Sequence, residues 1–102
     1  MKLLIVTSLK EFRNDIQNIL KQAQIPVFSY SEITGVKSSY APELSNNWFT
    51  SDSNHEFRSV FFFSFTDSEK AEQVLEKLIE FNTQDRVEYP VRGFILPVEK
   101  SV

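Results

Sequence analysis

The chain has 102 residues, enough to bury one hydrophobic core and too few for two domains. Its formal net charge of −3 gives no global positive field, which disfavours nucleic acid and anionic membranes as partners. It contains no cysteine, which excludes disulfides and thiolate sites and favours a reducing, cytoplasmic location. We therefore expect a single domain over residues 1–102, without membrane insertion, because no segment approaches the ~20 apolar residues of a membrane span.

The first two predicted elements are a strand and a helix. Residues 3–6 are apolar at every position, which is typical of a short strand buried on both faces. Over residues 10–24 the apolar residues recur at helical spacing. The helix ends before Pro26, because proline disfavours the α conformation at the residue before it. Its apolar stripe consists of Phe12, Ile16, Ile19, Leu20 and Ala23.

Two further strands follow, with a long polar segment between them. Residues 27–36 combine β-branched and aromatic residues with small polar ones, and this predicts a strand that closes at Gly35. Residues 57–65, which include three consecutive phenylalanines, predict the next strand. Residues 37–56 show little periodicity, and the segment is longer than the ~12–15 residues at which an unstructured loop becomes unusual in a compact domain.

The last two predicted elements are a helix and a strand. Residues 66–69 have the spacing of a capping box, with the Thr66 hydroxyl at the N-cap and the Glu69 carboxylate three residues on. Residues 82–91 form a polar connection, and residues 94–98 predict a final strand with Pro97 near its end, where a missing backbone donor is tolerated. The apolar stripe of the helix consists of Ala71, Val74, Leu75, Leu78, Ile79 and Phe81.

This order of elements predicts an α+β, ferredoxin-like βαββαβ sandwich, in which two helices cover one face of a four-stranded antiparallel sheet. The uncovered face should carry polar side chains if it meets water. Instead, each strand offers apolar residues to both faces, so we expect a symmetric oligomer that buries the second face. In the first strand, Leu3 and Ile5 oppose Leu4 and Val6. In the third strand, Phe61, Phe63 and Phe65 oppose Val60 and Phe62. In the fourth strand, Phe94 and Leu96 oppose Ile95. As an alternative, the long loop folds back over the sheet through Tyr40, Trp48 and Phe49.

Few residues carry candidate chemistry. His55 is the only histidine, and together with Asp52 and Glu56 it could bind a metal ion, although a lone histidine in a polar loop is more often solvated. No Ser/His/Asp spacing, no glycine-rich phosphate loop and no paired carboxylates in an apolar context can be read from the sequence. We therefore expect no enzyme activity.

One segment is similar to a nucleic-acid-binding signature. Residues 58–65 resemble the octapeptide of RNA-recognition motifs, which places aromatic rings on the open sheet face to stack bases. Ser59 and Val60 replace its glycine and first aromatic residue, and Phe62 takes the place of its second. This keeps an RNA-binding module as one alternative.

Over nearly its full length the sequence resembles the PII signal-transduction superfamily, whose members are ferredoxin-like trimers. Residues 1–5 resemble the first strand of that family, residues 32–37 its strand and turn before the long T-loop, and residues 67–79 its second helix. Residues 94–99 resemble its fourth strand, which typically ends in Pro-Val-Glu. The resemblance implies a homotrimer whose sheets face inward around a three-fold axis.

The same resemblance implies two functional regions. Residues 37–56 correspond to the T-loop, with Tyr40, Trp48 and Phe49 as candidate anchors for a protein partner such as a transporter or an enzyme. The ligand site of the family is a cleft between subunits that commonly takes an adenine nucleotide. Residues 82–91 contain no glycine for wrapping phosphates, so the ligand is not assigned. The candidate cleft residues are Gly35, Val36, Lys37, Arg86 and Arg92.

The sequence thus predicts a PII-like regulatory trimer that senses a small ligand and signals through the 37–56 loop. A second hypothesis is a divalent-metal-binding trimer of the CutA kind, with His55, Asp52 and Glu56 as ligands. The RNA-binding module is the third.

Overall fold

Four strands and two helices follow one another in the order that the sequence predicts. The computed structural model of the chain describes residues 1–36, 56–84 and 89–102, and of residues 56 and 57 it describes only the backbone. Within these ranges the elements are β1 (Lys2–Leu9), a 3₁₀ helix (Lys10–Phe12), α1 (Arg13–Gln22), β2 (Ser29–Val36), β3 (Glu56–Thr66), α2 (Ser68–Gln84) and β4 (Arg92–Pro97).

The strands form one antiparallel sheet in the order β2-β3-β1-β4, so β2 and β4 are the outer strands. Ile5 of β1 lies between Phe63 of β3 and Phe94 of β4. Directly paired residues point to the same face of a sheet, and successive residues point to opposite faces. The register therefore assigns every strand residue to a face. The strand order and the antiparallel pairing confirm the ferredoxin-like α+β fold.

The core lies between the helices and one face of this sheet, which we call the helix side. Val6 and Phe62 form a register pair on the helix side and are 0% and 1% exposed. Apolar residues of both helices belong to the same buried cluster. These helix residues are Ile16, Ile19 and Leu20 of α1 and Ala71, Val74 and Leu78 of α2.

Gly93 lets β4 approach α2 closely. It pairs with Val6 and so belongs to the helix side. A Cβ atom at this position would lie 2.5 Å from Cδ2 of Leu75 and 2.8 Å from Cδ1 of Leu78. A side chain at position 93 would therefore displace the ends of the Leu75 and Leu78 side chains.

Two expectations about α2 are wrong. Ile79, expected in the stripe of α2, is 66% exposed, because its place on the helix faces away from the sheet. The polar connection predicted from residue 82 starts later, because α2 continues to Gln84.

The N-terminus of α2 is capped one residue later than expected. Thr66 is the last residue of β3, and it pairs with Lys2 of β1. The backbone N–H of Lys70 donates to Oδ1 of Asp67 at 2.8 Å, and the N–H of Ala71 donates to the Asp67 carbonyl oxygen at 3.1 Å. Asp67 is therefore the N-cap residue, and its negative charge also favours the positive end of the helix dipole.

Replacement of the cap tests this assignment. Asp67→Ala removes the acceptor of the Lys70 N–H and should lower the free energy of unfolding by about 1 kcal/mol. In thermal denaturation, the melting temperature should fall by roughly 4–8 °C for a domain of this size. Ser68→Ala, one residue on and without a capping bond in the described structure, is the matched control. Equal losses from the two variants would contradict the assignment.

Candidate functional site

The face of the sheet opposite the helices, which we call the open side, is mainly apolar. Phe63, Phe65 and Leu96 lie on it and are 37%, 57% and 41% exposed. The rings of Phe61, Phe63 and Phe65 form a continuous row along β3, with centroid distances of 5.9 and 6.4 Å between neighbours. The half-buried members of the open side are Leu3, Ile5, Phe61 and Phe94. The expectation of an apolar second face is thus confirmed.

The comparison with RNA-recognition motifs fails at its key residue. Val60 and Phe62, which correspond to the two stacking positions of that signature, are 0% and 1% exposed on the helix side. A base cannot stack on a ring that is packed beneath helices. The interpretation of Phe62 as a stacking platform is therefore wrong.

One end of the sheet, which we call the loop end, contains the polar residues Ser59 and Arg92 of the open side. β1 and β2 finish there, and β3 and β4 begin there. Arg92 pairs with Thr7, and Ser59 pairs with Leu9. Nε of Arg92 and Oγ of Ser59 are buried and have no hydrogen-bond partner in the part of the chain that the structure describes. Each buried unpaired polar group costs about 1–3 kcal/mol, and the two atoms lie on different strands, with β1 between them.

The candidate cleft residues lie on opposite edges of the sheet. Gly35 and Val36 end β2, whereas Arg92 begins β4. With β3 and β1 between these outer strands and ~4.8 Å per strand, the two edges are about 14 Å apart. One copy of the chain therefore does not bring these residues together around a small ligand. Lys37 and Arg86 lie outside the described residues.

Most of the other predicted site residues also lie outside the described ranges. These are Tyr40, Trp48 and Phe49 of the partner-binding loop and Asp52 and His55 of the metal hypothesis. Glu56 opens β3, but only its backbone is described. Among the residues that the structure does describe, no group of three or more acidic or histidine side chains is placed to hold a metal ion. The partner-binding loop and the metal site therefore remain predictions.

A positively charged pocket on the helix side of the loop end was not predicted from the sequence. Nζ of Lys10 and Nη1 of Arg13 both contact Oε1 of Glu32, at 3.2 and 3.8 Å. Arg58, which forms no ion pair with the described residues, lines a pocket of about 160 Å³ together with Lys10, Glu32, Ile33 and Thr34. Lys10 and Arg13 thus share one carboxylate, and Arg58 adds a further positive charge to the lining of the same pocket. The pocket has a local excess of positive charge that favours anions.

No local sequence signal could have revealed this pocket. Lys10 lies in the 3₁₀ helix, Glu32 on β2 and Arg58 on β3. Their proximity depends on the pairing of β2 with β3 and on the position of the chain after β1. Charged residues so far apart in the sequence have no fixed spacing that a motif could describe.

Known structures share the fold. The chain matches the crystal structure of a PII-like signaling protein from Thermus thermophilus with a TM-score of 0.62 and 13% identity, over 92% of this chain and 82% of that chain. It matches the crystal structure of a DUF3240 family protein from Shewanella baltica with a TM-score of 0.60 and 17% identity, over 99% of this chain and 92% of that chain. No family model matches the chain, and neither does any curated protein. The chain thus shares the ferredoxin-like fold of these two proteins.

In the part of the chain that the structure describes, neither helix combines the length and the apolar composition needed to cross a bilayer.

The ion cluster gives a salt-dependent prediction. Glu32→Gln leaves Lys10 and Arg13 without their shared carboxylate and should lower the free energy of unfolding by at most ~1 kcal/mol in dilute buffer. The loss should disappear in 1 M NaCl, where the screening length is about 3 Å. Urea denaturation at the two salt concentrations measures it. Glu72→Gln on α2, which has no ion pair with a described residue, is the control, and a loss that persists in high salt would contradict the electrostatic origin.

Proposed function

We propose that this chain is a non-enzymatic, PII-like regulatory protein that works as a homotrimer, senses a small ligand in the clefts between subunits, and signals to a protein partner. In this proposal, residues 1–102 form one domain, and the open sides of three copies pack around a three-fold axis. The partner, a transporter or an enzyme for example, contacts the 37–56 loop. The absence of cysteine favours a cytoplasmic location.

The exposed apolar open side is the observation that carries the proposal. Complete burial of a Phe or Leu side chain contributes about 1.5–3 kcal/mol, so covering the exposed parts of Phe63, Phe65 and Leu96 contributes on the order of 1 kcal/mol each. The half-buried residues around them add further area. A second copy of the same surface is a suitable cover, because these central residues are apolar and carry no charge that must lose its water.

The separation of the cleft residues also supports an assembly. In a symmetric ring, the β2 edge of one copy can meet the β4 edge of the next. Such a contact brings Gly35 and Val36 of one subunit near Arg92 of its neighbour, although they lie on opposite edges within one chain. It also brings the side chain of Arg92, which is half-buried in one chain, to the boundary between two subunits.

The signal would pass through the strands that carry the loop. β2 ends at Val36 and β3 begins at Glu56, so both strands lead directly into the 37–55 segment. A ligand bound at the loop end contacts the same strand ends. If it binds one loop state more tightly than another, it shifts the population toward that state, and the partner detects the change.

The assembly is tested by mass in solution. Light scattering should give three times the chain mass of 11.9 kDa. Phe63→Asp places three carboxylates in the proposed apolar interface and should give monomers at micromolar concentration. Ile79→Asp, which makes the same kind of change at an exposed position of α2, should leave the trimer intact. A monomeric wild-type protein, or a Phe63→Asp variant that stays trimeric, would overturn the proposal.

The sensing role is tested by a thermal-shift screen with adenine nucleotides and divalent metal ions. A ligand present at about 100 times its Kd stabilises the folded state by about 2.7 kcal/mol and should raise the melting temperature by several degrees. Arg92→Ala should remove the shift caused by an anionic ligand, whereas Glu72→Gln should keep it. A metal-specific shift that is lost in His55→Ala would instead favour the CutA-like alternative. A trimer that responds to none of these compounds would contradict the sensing of nucleotides and metals and would leave the assembly intact.

A further inference from the structure

The side chain of Asn82 binds the backbone of Val91 through two hydrogen bonds. Its Nδ2 donates to the Val91 carbonyl oxygen at 3.0 Å, and its Oδ1 accepts from the Val91 N–H at 2.9 Å. Asn82 lies in the last turn of α2, and Val91 directly precedes β4. One amide group thus satisfies both backbone groups of a single residue, as a paired strand neighbour would.

These bonds hold the start of β4 against α2. Val91 is 3% exposed and belongs to the hydrophobic core. Two residues later, Gly93 lies directly beneath Leu75 and Leu78 of α2. Arg92 is between these two anchored residues. Its pairing with Thr7 places it on the open side, because both of its neighbours belong to the helix side.

The register of β4 decides to which side Arg92 points. A slip of one residue along β1 would exchange the two faces of the strand. Arg92 would then point toward α2, in the space that now admits only the hydrogen atom of Gly93. The Asn82 amide opposes this slip, because Pro90 would take the place of Val91 and has no N–H to donate to Oδ1 of Asn82.

We propose that Asn82 is a positioning residue for Arg92: its amide fixes the register of β4 and thereby presents the guanidinium on the open side at the loop end. This deepens the proposed function and rests on it for the anionic group that Arg92 would meet in the cleft. The positioning itself requires no ligand. It gives the buried Nε of Arg92 a fixed direction before any acceptor arrives.

The two hydrogen bonds to Val91 require a side-chain amide at position 82. Asparagine offers one donor and one acceptor at the spacing of a backbone residue. Asn82→Asp keeps the acceptor for the Val91 N–H, loses the donor, and places a negative charge beside the Val91 carbonyl oxygen. Asn82→Ala loses both bonds. Asn82→Ala should therefore disturb the start of β4 more than Asn82→Asp, because it removes the partners of both the N–H and the carbonyl of Val91.

Nuclear magnetic resonance of the ¹⁵N-labelled full chain measures the effect at the two relevant atoms. In Asn82→Ala the Val91 amide proton should exchange with solvent roughly five- to tenfold faster, as expected for the loss of one hydrogen bond. The Nε–H signal of Arg92, whose Nε is buried in the wild type, should shift and exchange faster as well. In Asn82→Asp the Val91 amide should stay protected while the Arg92 signal shifts.

Thr83→Ala is the matched control. The Thr83 hydroxyl donates to the Ile79 carbonyl oxygen at 2.9 Å, an exposed bond within α2 at the same end of the helix. It should lower stability slightly and leave both signals unchanged. If Asn82→Ala lowers the melting temperature but leaves the Val91 and Arg92 signals as in the wild type, Asn82 has only a structural role and the proposal is wrong. The proposal is equally wrong if Thr83→Ala changes both signals to the same extent.

Two further outcomes keep the test decisive. If Asn82→Ala does not fold, Asn82→Asp decides, because an unchanged Arg92 signal in that variant would contradict the proposal. If both signals respond as expected but Arg92→Ala does not alter any ligand-induced thermal shift, the positioning role is supported and the ligand role of Arg92 fails. The two proposals can therefore fail separately.

Discussion

A β-strand sends successive side chains to opposite faces of its sheet, and in this chain neither face of the central strands is polar. The helices cover only one of the two faces. Phe62 is 1% exposed beneath them, whereas the next residue, Phe63, is 37% exposed on the other side. This alternation determines the rest of the architecture. The core forms on the helix side, and the open side is left as an apolar surface that a second layer would stabilise.

The strand order determines where a ligand site can form. Because β2 and β4 are the outer strands, the loop end has two separate corners rather than one pocket. One corner carries the end of β2 and the cluster around Glu32. The other carries Arg92, which the start of β4 places on the open side. A small ligand that uses both corners needs two copies of the chain, so assembly and binding become linked equilibria.

Features that depend on local periodicity could be predicted from the sequence, whereas features that depend on distant contacts could not. The order of the elements and the apolar open side follow from patterns of a few neighbouring residues. The cap of α2 was misplaced by one residue, because Thr66 and Asp67 both suit an N-cap and only the pairing of β3 with β1 shows that Thr66 is still in the strand. The bonds between Asn82 and Val91 join residues on either side of a connection and have no sequence signature.

The run of phenylalanines in β3 also has a consequence before the fold is complete. Residues 60–65 are rich in aromatic side chains and contain neither charge nor proline, a composition that favours cross-β aggregation when such a segment is exposed. Arg58 and Asp67 lie just outside this run, and charges at such positions act as gatekeepers against self-association in fibrils. The residue that lines the pocket beside Glu32 and the residue that caps α2 thus occupy gatekeeper positions, and neutral replacements at either are expected to lower the soluble yield.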